Sequence, residues 1–203
     1  MYTKPYIWRL PFVPNSQITV YNWRERITNY LLFQEGIRLP GTDMGRLRFS
    51  QDPATYDLIF DAECAEEKLT KMGVISNTAS ALLVNSEVLK VFKEVCPDDF
   101  QAFPTLVRGV NPKYPPFELT HFWLLNVTNL SGKLDVERSK KCKQLVLFPD
   151  HMEGHHLSRL TEDRHEIIIS QTLYKALKKL KMRGLIFEKD AEGKGTMDIF
   201  ERS

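Results

Sequence analysis

The feature that most narrows what this chain can fold into is a pattern that occurs in it twice. An apolar run reaches a serine, passes into a helix-like stretch, and is followed by a second apolar run ending in phenylalanine. Leu82-Leu83-Val84-Asn85-Ser86-Glu87-Val88-Leu89 opens the first copy, which closes at Phe100-Gln101-Ala102-Phe103. Ile167-Ile168-Ile169-Ser170-Gln171-Thr172-Leu173 opens the second, which closes at Gly184-Leu185-Ile186-Phe187. Ser170 less Ser86, Leu173 less Leu89 and Phe187 less Phe103 each give 84, so the copies align without a gap. Short runs of Leu and β-branched residues suit buried strands. A serine at the strand end can accept a hydrogen bond from the free N–H groups of the next helical turn. Leu89, Phe92 and Val95/Cys96 in one copy, and Leu173, Ala176/Leu177 and Leu180 in the other, have the three-and-four spacing of a single apolar face. Pro97 is expected to stop the first helix and Gly184 the second. The expectation is a duplicated strand–Ser–helix–strand unit packed on sheet, with Ser86 and Ser170 as caps and the shared positions serving as scaffold.

The rest of the chain adds mainly strands. Tyr6 to Leu10 is a candidate first strand, and Ser16 to Gln34 reads equally as strand or helix. Leu47-Arg48-Phe49 and Asp57-Leu58-Ile59-Phe60 are short apolar runs, and Ala62 to Met72, acidic early and basic late, suits a helix aligned with its dipole. His121 to Val127 is a strong strand. Leu134 to Ser139 alternates apolar and polar residues as its hairpin partner should, across a turn at Asn129 to Lys133. Leu145 to Phe148 and Met197 to Phe200 are further strand candidates. The fold class expected is α+β, mixed and strand-rich. Residues 1–203 are expected to form a single domain, with a divergent part at 1–75 and the core, holding both copies, at 76–203.

Composition excludes more than it selects. The chain has 203 residues, 42% hydrophobic and 27% charged, which is ordinary for a folded domain with one substantial core. Lys and Arg number 28 against 26 Asp and Glu, so no overall field favours nucleic acid or an anionic membrane surface. Three cysteines without a Cys-x-x-Cys pair argue against a disulfide framework or a zinc knuckle. With no signal-like start and no run long enough to span a bilayer, the expected location is the cytoplasm.

Chemistry-bearing patterns are sparse. Asp150-His151-Met152-Glu153-Gly154-His155-His156 has metal-ligand character. Pro149 and Gly154 work against a helix there, however, and the spacing is not His-Glu-x-x-His. A metal-dependent hydrolase using His151, Glu153 and His155 is one alternative; a solvated loop is the plainer reading. Lys175, Lys178, Lys179, Lys181 and Arg183 on the second helix permit a nucleic-acid-binding module, though a surface helix also needs charge to stay soluble. No glycine elbow, phosphate loop or local nucleophile motif is present. The acid pairs Asp98/Asp99 and Asp135/Glu137 read as a turn and an exposed strand face rather than as an acid and a base. No catalytic residue, cofactor or metal site is expected.

Taken in order, LLVNSEVLKVFKEV with FQAFP, then FWLLNVTNLSGKLDVERS, then HHLSRL with IIISQTLYKALKKLKMRGLIFEK, resemble immunity protein family eleven of bacterial polymorphic toxin systems, over roughly residues 80–190. The residues carrying the likeness are Ser86, Phe103-Pro104, Asn126, Asp135, Glu137, Arg138, Ser139, Ser170 and Gly184-Leu185-Ile186-Phe187. The resemblance implies a cytoplasmic protein, not an enzyme, that occludes one cognate toxin. Its polar signature residues are read as structural. Partner contacts are then expected at Tyr114 and Phe117, at His151, Glu153, His155, His156 and Arg159, and at Asp61, Glu63, Glu66 and Glu67.

Overall fold

The structure, a computed structural model, describes residues 6–9, 18–20, 59–77, 81–142, 146–148, 152 and 154–189. Within them two sheets form. The larger has six strands in the order β2 (Ile18–Val20), β3 (Ile59–Ala62), β6 (Phe100–Gly109), β7 (Glu118–Val127), β5 (Leu82–Asn85) and β4 (Val74–Ile75). The smaller runs β10 (Ile186–Lys189), β1 (Tyr6–Arg9), β9 (Ile167–Ile169) and β8 (Leu157–Arg159). Four helices accompany them among the described residues: α1 (Glu66–Leu69), α2 (Ser86–Val95), α3 (Val136–Cys142) and α4 (Gln171–Lys178). The fold is α+β and strand-rich, as the sequence leads one to expect.

Both strand–helix–strand segments share one connectivity. β5 and β6 lie on either side of β7 and are antiparallel to it, so they run parallel to each other. β9 and β10 flank β1 in the same way. Each segment is thus a βαβ unit split by an inserted antiparallel strand. The gapless offset of 84 does not carry through to the caps. Ser170 caps α4, its side chain accepting from Leu173 N, but α2 is capped by Asn85, which accepts from Val88 N. Ser86 is already the first helical residue, exposed, and its hydroxyl donates to His121 O at 3.0 Å. Asn outcompetes Ser here because its amide also donates to Met72 O at 3.1 Å, tying the helix start to β4's approach. Replacing Asn85 by Ala is therefore expected to cost about 1–2 kcal/mol, and Ser86→Ala clearly less. Urea unfolding of the two variants checks the order, and equal losses would contradict it.

The core explains why β5 reads as an unbroken apolar run. Leu83, Phe103 and Leu124 join Phe60, Val107 and Phe122 on one face of the larger sheet. Their neighbours Leu82, Val84, Ala102 and Leu125 enter a second cluster on the other face, as the two-residue period of a strand requires. That second cluster holds the inner faces of α2 (Val88, Leu89, Phe92) and α4 (Leu173, Leu177) together with Leu157, Ile167 and Ile169 of the smaller sheet. Phe92 meets Phe100 edge-on at 5.7 Å. Cys96 is buried beside them; burial and then the Asp99 charge push its thiol well above the ordinary range, which leaves it an inert packing residue.

Several elements differ from expectation. Leu134 to Ser139 is not the partner strand of β7. Asp135 accepts from Arg138 N at 3.0 Å and starts α3, and β7 is already paired on both edges by β5 and β6. The alternation of Leu134 and Val136 is coincidental, since Val136 is 38% exposed. Of the strand expected at Leu145 to Phe148, the described residues show a single bridge, Leu134 to Leu147. The helix expected from Ala62 to Met72 shrinks to the four residues of α1 because Ala62 belongs to β3. α4 ends at Lys178, well before Gly184. Leu47–Phe49 and Met197–Phe200 lie outside the described residues, as does Ser16–Gln34 apart from β2.

Candidate functional site

β6 is ten residues long, so its two ends stand roughly 30 Å apart. Several of the polar residues singled out from sequence lie at one end or the other.

At its C-terminal end β6 lies parallel to β3, and the register sets Arg108 opposite Asp61. The guanidinium grips the carboxylate, Nε at 2.9 Å and Nη2 at 2.8 Å from Oδ1. The loop that follows is fastened to the exit of β3: Val110 N donates to Ala62 O at 3.0 Å, and the Asn111 amide donates to Glu63 O at 2.8 Å. Asn111 also accepts from Lys113 N at 2.9 Å, and its carbonyl accepts from Tyr114 N at 3.1 Å, which closes the turn. Gly109 is required because the Phe117 ring lies where a Cβ would stand. The turn leaves Val110 and Tyr114 exposed at its crest, 42% and 38%. Glu66 and Glu67, on the short helix leaving β3, are exposed at this same end, and Glu63 is half-buried. Tyr114 and the acidic stretch, distant in sequence, are thus brought together. Phe117 and Asp61 do not offer themselves to a partner: both are buried, the first as the loop's floor and the second as Arg108's counter-charge.

At its N-terminal end β6 is preceded by Asp99, which is 4% exposed. Its Oδ1 lies 2.7 Å from His155 Nδ1, and its Oδ2 accepts from His156 N at 2.9 Å and Leu157 N at 3.0 Å. His156 Nδ1 faces Ser170 Oγ at 2.8 Å. Ser170 Oγ also accepts from Leu173 N at 3.2 Å, which fixes the side chain as the cap of α4. Asp, His and Ser thus converge, but not as a catalytic triad: the carboxylate holds the His156 backbone and the ring of a different histidine, while the serine is fixed as a helix cap. Their effect is to fasten β8 and its approach to the turn between α2 and β6. No local pattern marks Asp99 beyond its place in a turn, because its partners lie 56 to 58 positions away.

Arg159 completes that seam. It is 6% exposed, donates from Nε to Val127 O at 2.9 Å and from Nη1 to Arg164 O, and burial lowers its pKa to about 10. The expectation of an exposed contact residue is corrected: this cation serves two main-chain carbonyls. Of the expected partner contacts here, His155 is exposed and His156 half-buried. His151 and Glu153 lie outside the described residues. Among the described residues no group of three or more His, Cys, Asp or Glu side chains is placed to hold a metal ion.

Of the other polar signature residues, two join elements. Asn126, buried on β7, donates to Gln101 Oε1 at 3.3 Å across the β6–β7 pair. Ser139, also buried, donates to Asp135 O at 2.6 Å and accepts from Val146 N at 2.9 Å, binding α3 to the segment beyond it. Glu137 and Arg138 are exposed. Asn126 and Ser139 thus make structural contacts, whereas Asp135 acts by starting a helix.

A family model described as Immunity protein family (Imm11) matches residues 15–192. The chain belongs to that immunity family. The match extends well beyond the 80–190 stretch that carried the resemblance and takes in much of the N-terminal part. No curated protein matches the chain. In this immunity protein no helix among the described residues is long and apolar enough to cross a membrane.

Proposed function

We propose that this immunity protein binds one cognate toxin protein in the cytoplasm and neutralises it by covering it, without catalysing a reaction. The family match over residues 15–192 carries the reading. The contact surface proposed is the end of the larger sheet where the loop Val110 to Pro116 crosses the acidic exit of β3. An aromatic crest on a loop held by four hydrogen bonds is pre-organised, so little conformational freedom is lost when a partner closes over it. Tyr114 supplies the large amphipathic anchor that dominates such interfaces, and Glu63, Glu66 and Glu67 supply charge that selects a basic partner surface.

Co-expression tests it. Cells producing the cognate toxin are expected to survive when this chain is present and to die when it is absent. Tyr114→Ala is expected to weaken the complex by about 10- to 100-fold while leaving the unfolding midpoint in place, since the side chain is exposed. A toxin that stays lethal beside the folded wild-type chain contradicts the function. Undiminished binding by Tyr114→Ala contradicts the surface alone.

A further inference from the structure

Residues 171–187 contain five cations, Lys175, Lys178, Lys179, Lys181 and Arg183, and no acid, in a chain whose charges otherwise nearly balance. All five are exposed. Among the described residues none of them forms an ion pair. Beside them, between α4 and β10, lies an open cavity of about 340 Å³. Met182 and Leu185 contribute apolar lining, Tyr174 and Phe187 form a wall, and Lys178 and Lys181 stand among them. Lysines at the end of a helix are favoured by its dipole, and that accounts for Lys178. It does not account for Lys181, which lies past the helix with φ 51, in the left-handed region where glycine is favoured.

We propose that this groove binds an acidic peptide segment of a partner protein, with one large apolar side chain seated between Met182 and Leu185 and flanking carboxylates paired with Lys178 and Lys181. The volume suits one or two such side chains, and the Asn85 amide, donating to Met182 Sδ at 3.4 Å, holds that side of the groove in place. The wall argues for a peptide over nucleic acid. The Tyr174 ring already stands edge-on to Phe187 at 5.0 Å and 87°, and Lys178 Nζ lies 5.4 Å from its centroid and donates to its hydroxyl at 3.1 Å. Both rings are engaged with each other or with a cation, whereas single-stranded nucleic acid needs open aromatic faces on which to stack. The groove is separate from the Tyr114 loop and does not rest on that assignment.

Lys181→Gly separates binding from stability. Glycine relieves the left-handed backbone, so the variant is expected to unfold at the same temperature or higher, yet to lose the cation at the groove. The probe is a random twelve-residue peptide library displayed on phage and selected on the wild-type chain. Selected peptides are expected to carry Asp or Glu around a large apolar residue, to bind more weakly as salt rises, and to lose at least tenfold in affinity on Lys181→Gly. Peptides without that composition, or equal binding by the variant, overturn the proposal. So does stronger binding of a twelve-nucleotide thymidine strand, or concentration-dependent dimerisation that Lys181→Gly abolishes.

Discussion

Asp99→Ala is expected to lower the unfolding free energy by about 3–5 kcal/mol, among the largest losses from any single polar substitution in this protein. The side chain is almost wholly buried and satisfies two main-chain N–H groups, those of His156 and Leu157, besides the His155 ring. Truncation leaves both N–H groups without their acceptor at the start of β8, where the smaller sheet meets the α2–β6 turn. Asp99→Asn keeps one acceptor oxygen and is expected to recover about half the loss. His155→Ala removes only a ring that is 44% exposed and is expected to cost about 1 kcal/mol or less. Urea unfolding is expected to rank the losses with Asp99→Ala largest, Asp99→Asn next and His155→Ala smallest. If His155→Ala were as damaging as Asp99→Ala, the seam would depend on the imidazole contact and not on the main-chain bonds.

Gly184→Ala is expected to cost about 3 kcal/mol. Gly184 has φ 82, so any side chain is strained there, and a Cβ would overlap the Val74 carbonyl oxygen on β4. Close approach at this point lets Gly73 N donate to Arg183 O at 2.7 Å and Met72 bridge Arg183, which docks the chain entering β10 against the edge of the larger sheet. Thermal unfolding measures the loss. Lys181→Gly, three residues earlier, is the opposite case: one change imposes left-handed strain and the other relieves it. A Gly184→Ala variant as stable as the parent would mean that β4 and this turn separate freely.

The strand–polar–helix passages, β1, β7 and the strand-rich class are legible in the sequence because each depends on local period and capping chemistry. The caps themselves are only half legible. Asn85 and Ser86 are both good cap residues, and what favours Asn85 is its second bond to Met72, which no local pattern reveals. α3 is hidden for a related reason: Leu134 and Val136 mimic a strand, and only the occupied edges of β7 show that no partner is needed. Tyr114 and the acidic residues can be named as candidates from type and position. Their meeting depends on the parallel β3–β6 pair, a contact between segments some 47 positions apart. Burial of Phe117, Asp61 and Arg159 is illegible for the same reason. A loop aromatic, an acid and an arginine look exposed until the fold supplies a glycine to cover, a guanidinium to hold and two carbonyls to serve.

The most direct test of the central claim is calorimetric titration of this chain with the proposed cognate toxin, purified in an inactivated form. A one-to-one complex is expected, with a dissociation constant in the nanomolar range or tighter, about −12 kcal/mol, and weakened by Tyr114→Ala. No binding at micromolar concentrations of both proteins would contradict neutralisation by occlusion.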